Sequence, residues 1–177
     1  MPGPEYGIAA LNDLDAQAFA ALLGGIFEHS PWVARAAYRS RPFGSIAELH
    51  AAMLRAVADA GSEQQIRLLQ AHPMLAPAKG TPLTAASASE QAGIGLDRLA
   101  ADESAVLSAL NHAYRARFGF PFIIAVRGQR NHGAILAALQ TRMHNAPAQE
   151  QETALAEVAK IARFRLNDLL VEDANAG

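Results

Sequence analysis

The chain has no cysteine, a single tryptophan and charged side chains at only 18% of its positions. Without thiols there is no disulfide staple, no thiolate metal ligand and no cysteine nucleophile, so stability must come from packing. Fifteen basic residues face seventeen acidic ones, interspersed along the chain, for a net charge of −2. That balance lacks the electrostatic footprint of a nucleic-acid binder or of a protein drawn to an anionic membrane surface. Long apolar runs are missing too: no stretch approaches the ~20 apolar residues of a membrane span. The N-terminal region carries Glu5 and Asp13 where a secretory leader would be basic and then apolar. A cytoplasmic setting is expected, with small-molecule or protein partners, no nucleic acid and no membrane. Alternating Val, Ile and Thr runs are nearly absent as well, whereas Ala, Leu, Arg, Glu and Gln fill the segments between breakers. The expected fold is therefore all-α. At 177 residues, 51% of them hydrophobic, the chain suits one compact multi-helix bundle and is short for two domains. Residues 1–177 are read as a single domain, with about 1–10 and 173–177 as loose tails.

Caps and breakers divide the chain. A helix is expected from Asp13 to about Phe27, with Leu14, Ala18, Leu22 and Ile26 as its apolar stripe. Ser30-Pro31 starts a short helix from Trp32 to about Arg39, and Trp32 is expected to pack in the core. Ser45-Ile46-Ala47-Glu48 has capping-box spacing and opens a helix that stops at Gly61. Ser62 opens the next, ending at His72. Pro77, Gly80 and Pro82 mark a loop over 76–86. A long helix should run from Asp97 to about Phe118, burying Leu99, Val106, Leu110, Ala113 and Tyr114, with Gly119 as its terminator. Phe120 to Val126 is the one strand-like run. Pro121 and the lack of any pairing partner make it an extended buried connector instead. Helices over about 133–144 and from Pro147 to about Val171 complete the chain.

Two short segments carry chemistry. Pro73 pushes His72 out of the helical region, which places an imidazole where a helix ends and the chain turns. Ser87 and Glu90 have the Ser-x-x-Glu spacing of a capping box, which would put Glu90 on the first turn of the following helix. Read alone, His72 is a partly exposed cap and the Ser87/Glu90 pair a structural box. Together they can also form a helix-end acid-base pair.

With the elements placed, residues 27–34 (Phe-Glu-His-Ser-Pro-Trp-Val-Ala), Arg41-Pro42-Phe43, the Ala71-His72-Pro73 turn, Leu83-Thr84 through Gln91, Leu110-Asn111 with Tyr114, residues 118–126 and Arg165-Leu166 resemble the 2-oxo-4-hydroxy-4-carboxy-5-ureidoimidazoline (OHCU) decarboxylase family in joint order. No one of these motifs is specific; their order over nearly the whole chain is. The resemblance implies an all-helical, usually dimeric enzyme that needs no cofactor and performs the last step of urate conversion to (S)-allantoin. It implies His72 as the central acid-base group and Glu90 as its catalytic partner. Pro73, Ser87, Gln91, the Phe122, Ile123 and Ile124 backbone and the guanidinium of Arg165 would bind substrate. Association with an upstream hydroxyisourate hydrolase is a further implied partnership. The family turn commonly reads His-Pro-Asp-Leu or His-Pro-Glu-Leu, whereas Met74 stands here in place of the acid. If the acid only caps the turn, its loss costs about 1 kcal/mol of local stability and no chemistry; if it tunes the histidine, the present enzyme would titrate differently. The first reading is favoured, because the imidazole, Ser87, Glu90, Gln91 and Arg165 all remain.

The chemistry suits these residue types. An imidazole of pKa about 6.5 exchanges protons near neutrality, and arginine offers a permanently charged fork to an anion. The other histidines, His29, His50, His112, His132 and His144, lack ligand spacing, so no metal site is expected. Arg127, Gly128 and Arg130 form a small basic loop that reads as solvated surface. Asn111 and Tyr114, three apart on one helix, are either satisfied core polar groups or a frame for the site. The competing function from another class is a non-catalytic all-α module that binds a ureide-like ligand or a partner enzyme.

Overall fold

A computed structural model describes residues 6–173. Among them lie nine α-helices and one pair of two-residue strands, so the chain is predominantly α. β1 (Tyr6–Gly7) runs parallel to β2 (Leu170–Val171), with Tyr6 opposite Leu170. Of the expected tails, residues 1–5 and 174–177 lie outside the described residues. The rest is a correction: residues 6–10 and Asp173 are not loose. The Ala9 N–H donates to the Asp173 carboxylate at 2.7 Å, and α1 (Ile8–Asn12) buries Ile8 and Leu11. A backbone pairing between segments so distant in sequence ties the end down, and local pattern carries no trace of it.

The described residues form two compact units, residues 6–71 with 159–173 and residues 72–158. In the first, α2 (Ala16–Leu23) starts later than expected. The Asp15 carboxylate caps it, accepting the Ala18 N–H at 2.8 Å, and it ends ahead of Gly24 and Gly25. Phe19 and Leu23 are buried, while Leu14, Ala18 and Leu22 are only partly covered. The large Phe19 side chain takes the core position, its ring edge-on to Tyr38 at 5.3 Å, and so shifts the stripe by one residue. α3 (Trp32–Ala37) continues as a 3-10 turn through Ser40. It buries Val33, Ala34 and Ala37, but Trp32 is only half-buried, contrary to its expected core role. α4 (Ile46–Asp59) is capped by Ser45, whose hydroxyl accepts the Glu48 N–H at 3.1 Å. Gly61, at φ +81°, ends that run as expected, and α5 (Ser62–Gln70) follows.

In the second unit, α6 (Ala85–Gly93) precedes α7 (Ala101–Phe118) and α8 (His132–Arg142). α9 (Pro147–Leu169) carries the chain back into the first unit. α7 begins at Ala101, not Asp97, because Leu96–Arg98 forms a separate 3-10 turn. Its buried face is Leu107, Asn111 and Tyr114, whereas Val106 is 48% exposed. Gly119 adopts φ +82° and donates its N–H to the Arg115 carbonyl, the left-handed stop that a glycine tolerates. Phe120 to Ala125 then runs as a buried segment outside any helix or sheet, and Val126, where the extended run was expected to end, instead opens a 3-10 turn with Arg127 and Gly128.

Candidate active site

α5 ends at Gln70, and two residues later His72 is 7% exposed. The imidazole is therefore buried rather than facing outward as a cap residue would. The backbone after it is gripped by two buried amides. Gln91 accepts the Ala76 N–H through Oε1 at 2.8 Å and donates from Nε2 to the Met74 carbonyl at 3.3 Å. Asn111 donates from Nδ2 to the Leu75 carbonyl at 2.9 Å. Ala76 sits at φ +44°, in the left-handed region, which costs an alanine about 1–2 kcal/mol. Each of the three hydrogen bonds contributes on the order of 0.5–1.5 kcal/mol, enough together to hold that conformation. None of them uses the side chain at position 74. The turn thus keeps its form with Met74 where the family has an acid.

The helix that presents Ser87 and Glu90 is capped differently from expectation. Thr84 is the N-cap, its hydroxyl accepting the Ser87 N–H at 3.2 Å. Ser87 is the third helical residue and Glu90 the sixth, too far along for a capping box. Threonine competes for the cap because its hydroxyl has the same reach, and the loop ending at Thr84 decides the outcome. With the start moved, Ser87 and Gln91 stand one turn apart on a single buried face, 4% and 6% exposed. Gln91 joins that face to the His72 turn. Glu90, half-buried, lines a cavity of about 540 Å³ together with Val126, Arg127 and Arg130.

The Phe122–Ile124 wall is set from behind by Tyr114, which the sequence offered as a core polar group or a frame for the site, and by Arg142 and Glu150, which sequence pattern did not single out. Tyr114, one turn from Asn111 on the buried face of α7, meets the Phe122 ring edge-on at 5.3 Å. Its hydroxyl donates to Glu150, which is 0% exposed. Burial first, and then the hydrogen bond to Glu150, push the Tyr114 phenol well above its usual range. Glu150 also accepts from Arg142 Nε and from Asn145 Nδ2, each at 2.8 Å. Arg142 in turn donates from Nη1 to the Ile123 carbonyl at 2.7 Å, with its guanidinium 4.5 Å above the Phe122 ring. The Ile123 carbonyl is thus already held, and the Ala125 N–H is taken by Glu157 at 2.8 Å. One face of α7 accordingly serves both walls: Asn111 fixes the His72 turn and Tyr114 backs Phe122. Arg142 and Glu150 lie eight residues apart across a helix boundary, so no helical or strand period links them.

Arg165 belongs to the first unit. Its Nη1 donates to Glu28 Oε2 at 2.7 Å, the two side chains being 6% and 1% exposed. Glu28 stands in the Phe27–Trp32 motif, and its role as the partner of this arginine is visible only in the fold. Among the described residues no three His, Asp or Glu side chains converge as metal ligands would. No helix of the described residues is long and apolar enough to cross a membrane.

A family model described as OHCU decarboxylase matches residues 12–167. The chain belongs to the OHCU decarboxylase family. A 2-oxo-4-hydroxy-4-carboxy-5-ureidoimidazoline decarboxylase of Haloferax volcanii is 46% identical over 162 residues, 92% of this chain and 95% of that one. A uric acid degradation bifunctional protein of Bacillus subtilis is 40% identical over 165 residues, which are 92% of this chain but 32% of that protein. The crystal structure of an (S)-allantoin synthase superposes with a TM-score of 0.72 at 35% identity, covering 90% of this chain and 52% of that one. The OHCU decarboxylase match runs through His72, the Ser87–Gln91 face, the Phe122–Ile124 segment and Arg165 alike.

Proposed function

We propose that this protein decarboxylates 2-oxo-4-hydroxy-4-carboxy-5-ureidoimidazoline to (S)-allantoin, the last step of urate degradation, as a carboxy-lyase that uses no cofactor. The observation that carries this is the family match over residues 12–167, which takes in His72, Ser87, Glu90, Gln91 and Arg165. The substrate holds its carboxylate on a carbinol carbon beside a ring C=N. Breaking the carbon–carboxylate bond releases carbon dioxide, and its electron pair forms a double bond to the ureido-bearing carbon as the imine nitrogen takes a proton. The carbinol hydroxyl then gives up its proton while the ureido carbon gains one. A carbonyl and a stereocentre result, with one proton consumed overall. The protein has to orient the carboxylate, stabilise charge developing on the ring and deliver a proton to one face.

His72 is proposed as the acid-base group. Its burial supports this, since a buried imidazole exchanges protons with a substrate instead of with bulk water. Glu90 is its proposed catalytic partner. Ser87 and Pro73 would contact the ureido and ring atoms, and Gln91 would add its remaining amide hydrogen while holding the His72 turn. Phe122, Ile123 and Ile124 are proposed to bind through backbone groups not already taken by Arg142 and Glu157, and Arg165 as a partner for the anionic substrate. Residues 1–177 are read as one functional domain, since the family match runs through both units. A cytoplasmic homodimer is proposed on the strength of the family resemblance. An association with the upstream hydroxyisourate hydrolase is proposed from the family resemblance.

The test is an assay of fresh substrate, made from urate by the two upstream enzymes and followed by circular dichroism. Predominantly (S)-allantoin should form, faster than in the spontaneous reaction. Racemic product at the uncatalysed rate would replace the enzyme with a passive ureide-binding module.

A further inference from the structure

Ile124 is 6% exposed, yet among the described residues neither its N–H nor its carbonyl has a hydrogen-bond partner. A buried peptide group left over in this way is costly unless a ligand answers it. The groups on either side of it are held firmly. The Ile123 carbonyl accepts from Arg142 Nη1 at 2.7 Å, and the Ala125 N–H donates to Glu157 Oε2 at 2.8 Å. Both peptide bonds flanking Ile124 are trans, so the carbonyl and the N–H of each point in opposite directions. The Ile124 N–H is therefore turned away from Arg142, and the Ile124 carbonyl away from Glu157. One helix sets both holds. Glu157 lies on α9 about two turns after Glu150, the carboxylate that anchors Arg142. All of these residues belong to the second unit, as do His72 and Gln91.

We propose that Arg142 and Glu157 are positioning residues of the substrate site: by holding the peptide groups on either side of Ile124, they aim its N–H and carbonyl at the ureide portion of the substrate. This role rests on the decarboxylase reading and deepens it. A ureide carries N–H donors beside C=O acceptors, so one backbone donor and one backbone acceptor suit it, and the substrate carboxylate stays with Arg165. Neither positioning side chain touches substrate. Arg142 is paired with Glu150 at 2.6 Å and so contributes direction rather than net charge. Hydrogen bonds made equally to substrate and to transition state alter KM and leave kcat to His72.

Three variants test this against wild type. Glu157→Ala removes one hold, whereas Glu157→Gln keeps an acceptor oxygen for the Ala125 N–H. Arg142→Met combined with Glu150→Leu removes the other hold without leaving the buried carboxylate unpaired. Each is measured for kcat and KM, for melting temperature and for (S)-allantoin affinity by calorimetry. In protein carrying isotope-labelled isoleucine, NMR follows the Ile124 amide, assigned through Ile124→Val, as (S)-allantoin is added. Glu157→Ala and the Arg142/Glu150 variant should each raise KM and weaken allantoin binding by roughly three- to tenfold with kcat little changed. Glu157→Gln should restore both, and the wild-type Ile124 amide should shift on binding. Unchanged KM and allantoin affinity in Glu157→Ala would overturn the assignment even with a lowered melting temperature, the mark of a purely structural role. So would an Ile124 amide that stays still in wild-type protein that turns over substrate. Wild-type protein that forms no product, yet binds (S)-allantoin with a shifted Ile124 amide and loses that affinity in Glu157→Ala, would refute the decarboxylase reading alone and uphold the positioning role.

Discussion

His72 gains its chemical character from where it lies. An exposed histidine at a helix end exchanges protons with water and confers no facial selectivity, whereas this one is covered and its following turn is locked by three hydrogen bonds between the Gln91 and Asn111 side chains and the backbone. A group held in this way can address one face of a substrate. His72→Asn keeps approximate size and hydrogen bonding but cannot exchange a proton near neutrality. Turnover should drop by about 10²–10⁴ with the fold retained. A rate assay corrected for spontaneous decay, alongside circular dichroism of the folded variant, checks this, and unchanged turnover would remove the histidine from the mechanism. Neighbouring Met74 fits the same picture: the turn depends on backbone groups at 74, 75 and 76, so the side chain at 74 was free to diverge from the family's acid.

At the level of elements, the Phe120–Ala125 segment has no sheet to hold it. A buried run without strand partners must have its polar backbone answered from side chains. Arg142 supplies that from α8, anchored by Glu150 on α9, with Tyr114 of α7 completing the cluster. Removing one partner leaves a buried charge uncompensated, which costs far more than the pair itself contributes. Arg142→Met should destabilise the protein by about 3–5 kcal/mol. Arg142→Met combined with Glu150→Leu should recover much of that loss, while the Ile123 carbonyl stays without its donor. Denaturant melts of the single and double variants form the check: a double variant no better than the single one would show that the carboxylate is not the source of the penalty.

For the whole molecule, stability should respond to acidity through His50. This α4 side chain lies with Nε2 2.8 Å from the Ala159 carbonyl. Desolvation by burial, with a further push from Arg163, lowers its pKa from the ordinary 6.5, against the opposing pull of the carbonyl. The folded state therefore prefers the neutral ring. The stabilisation is complete above 6.5 and is lost as the pH falls from there through the lowered folded value. His50→Gln retains a donor for Ala159 but no titration. Its melting temperature should depend less on pH than that of the wild type across this window. Parallel slopes for the two proteins would show that other groups govern the acid limb.

Helix content was legible from residue types and breakers because helical hydrogen bonds are local: each connects groups four residues apart, and glycine or a capping hydroxyl acts where it stands. Gly61, Gly119 and Ser45 perform as their local chemistry dictates. The motif order from Phe27 to Arg165 likewise sufficed to point to the family. Which of two nearby hydroxyls caps a helix is a different kind of question. Thr84 prevails over Ser87 because of how the preceding loop arrives, and that choice turns Ser87 and Gln91 from a helix end into a buried face. The pairings of Arg165 with Glu28 and of Arg142 with Glu150, and the place of Tyr114 behind Phe122, join residues with no shared period. Only the folded chain settles them, since a buried charge takes whichever partner the packing brings within hydrogen-bond reach, at any distance along the sequence.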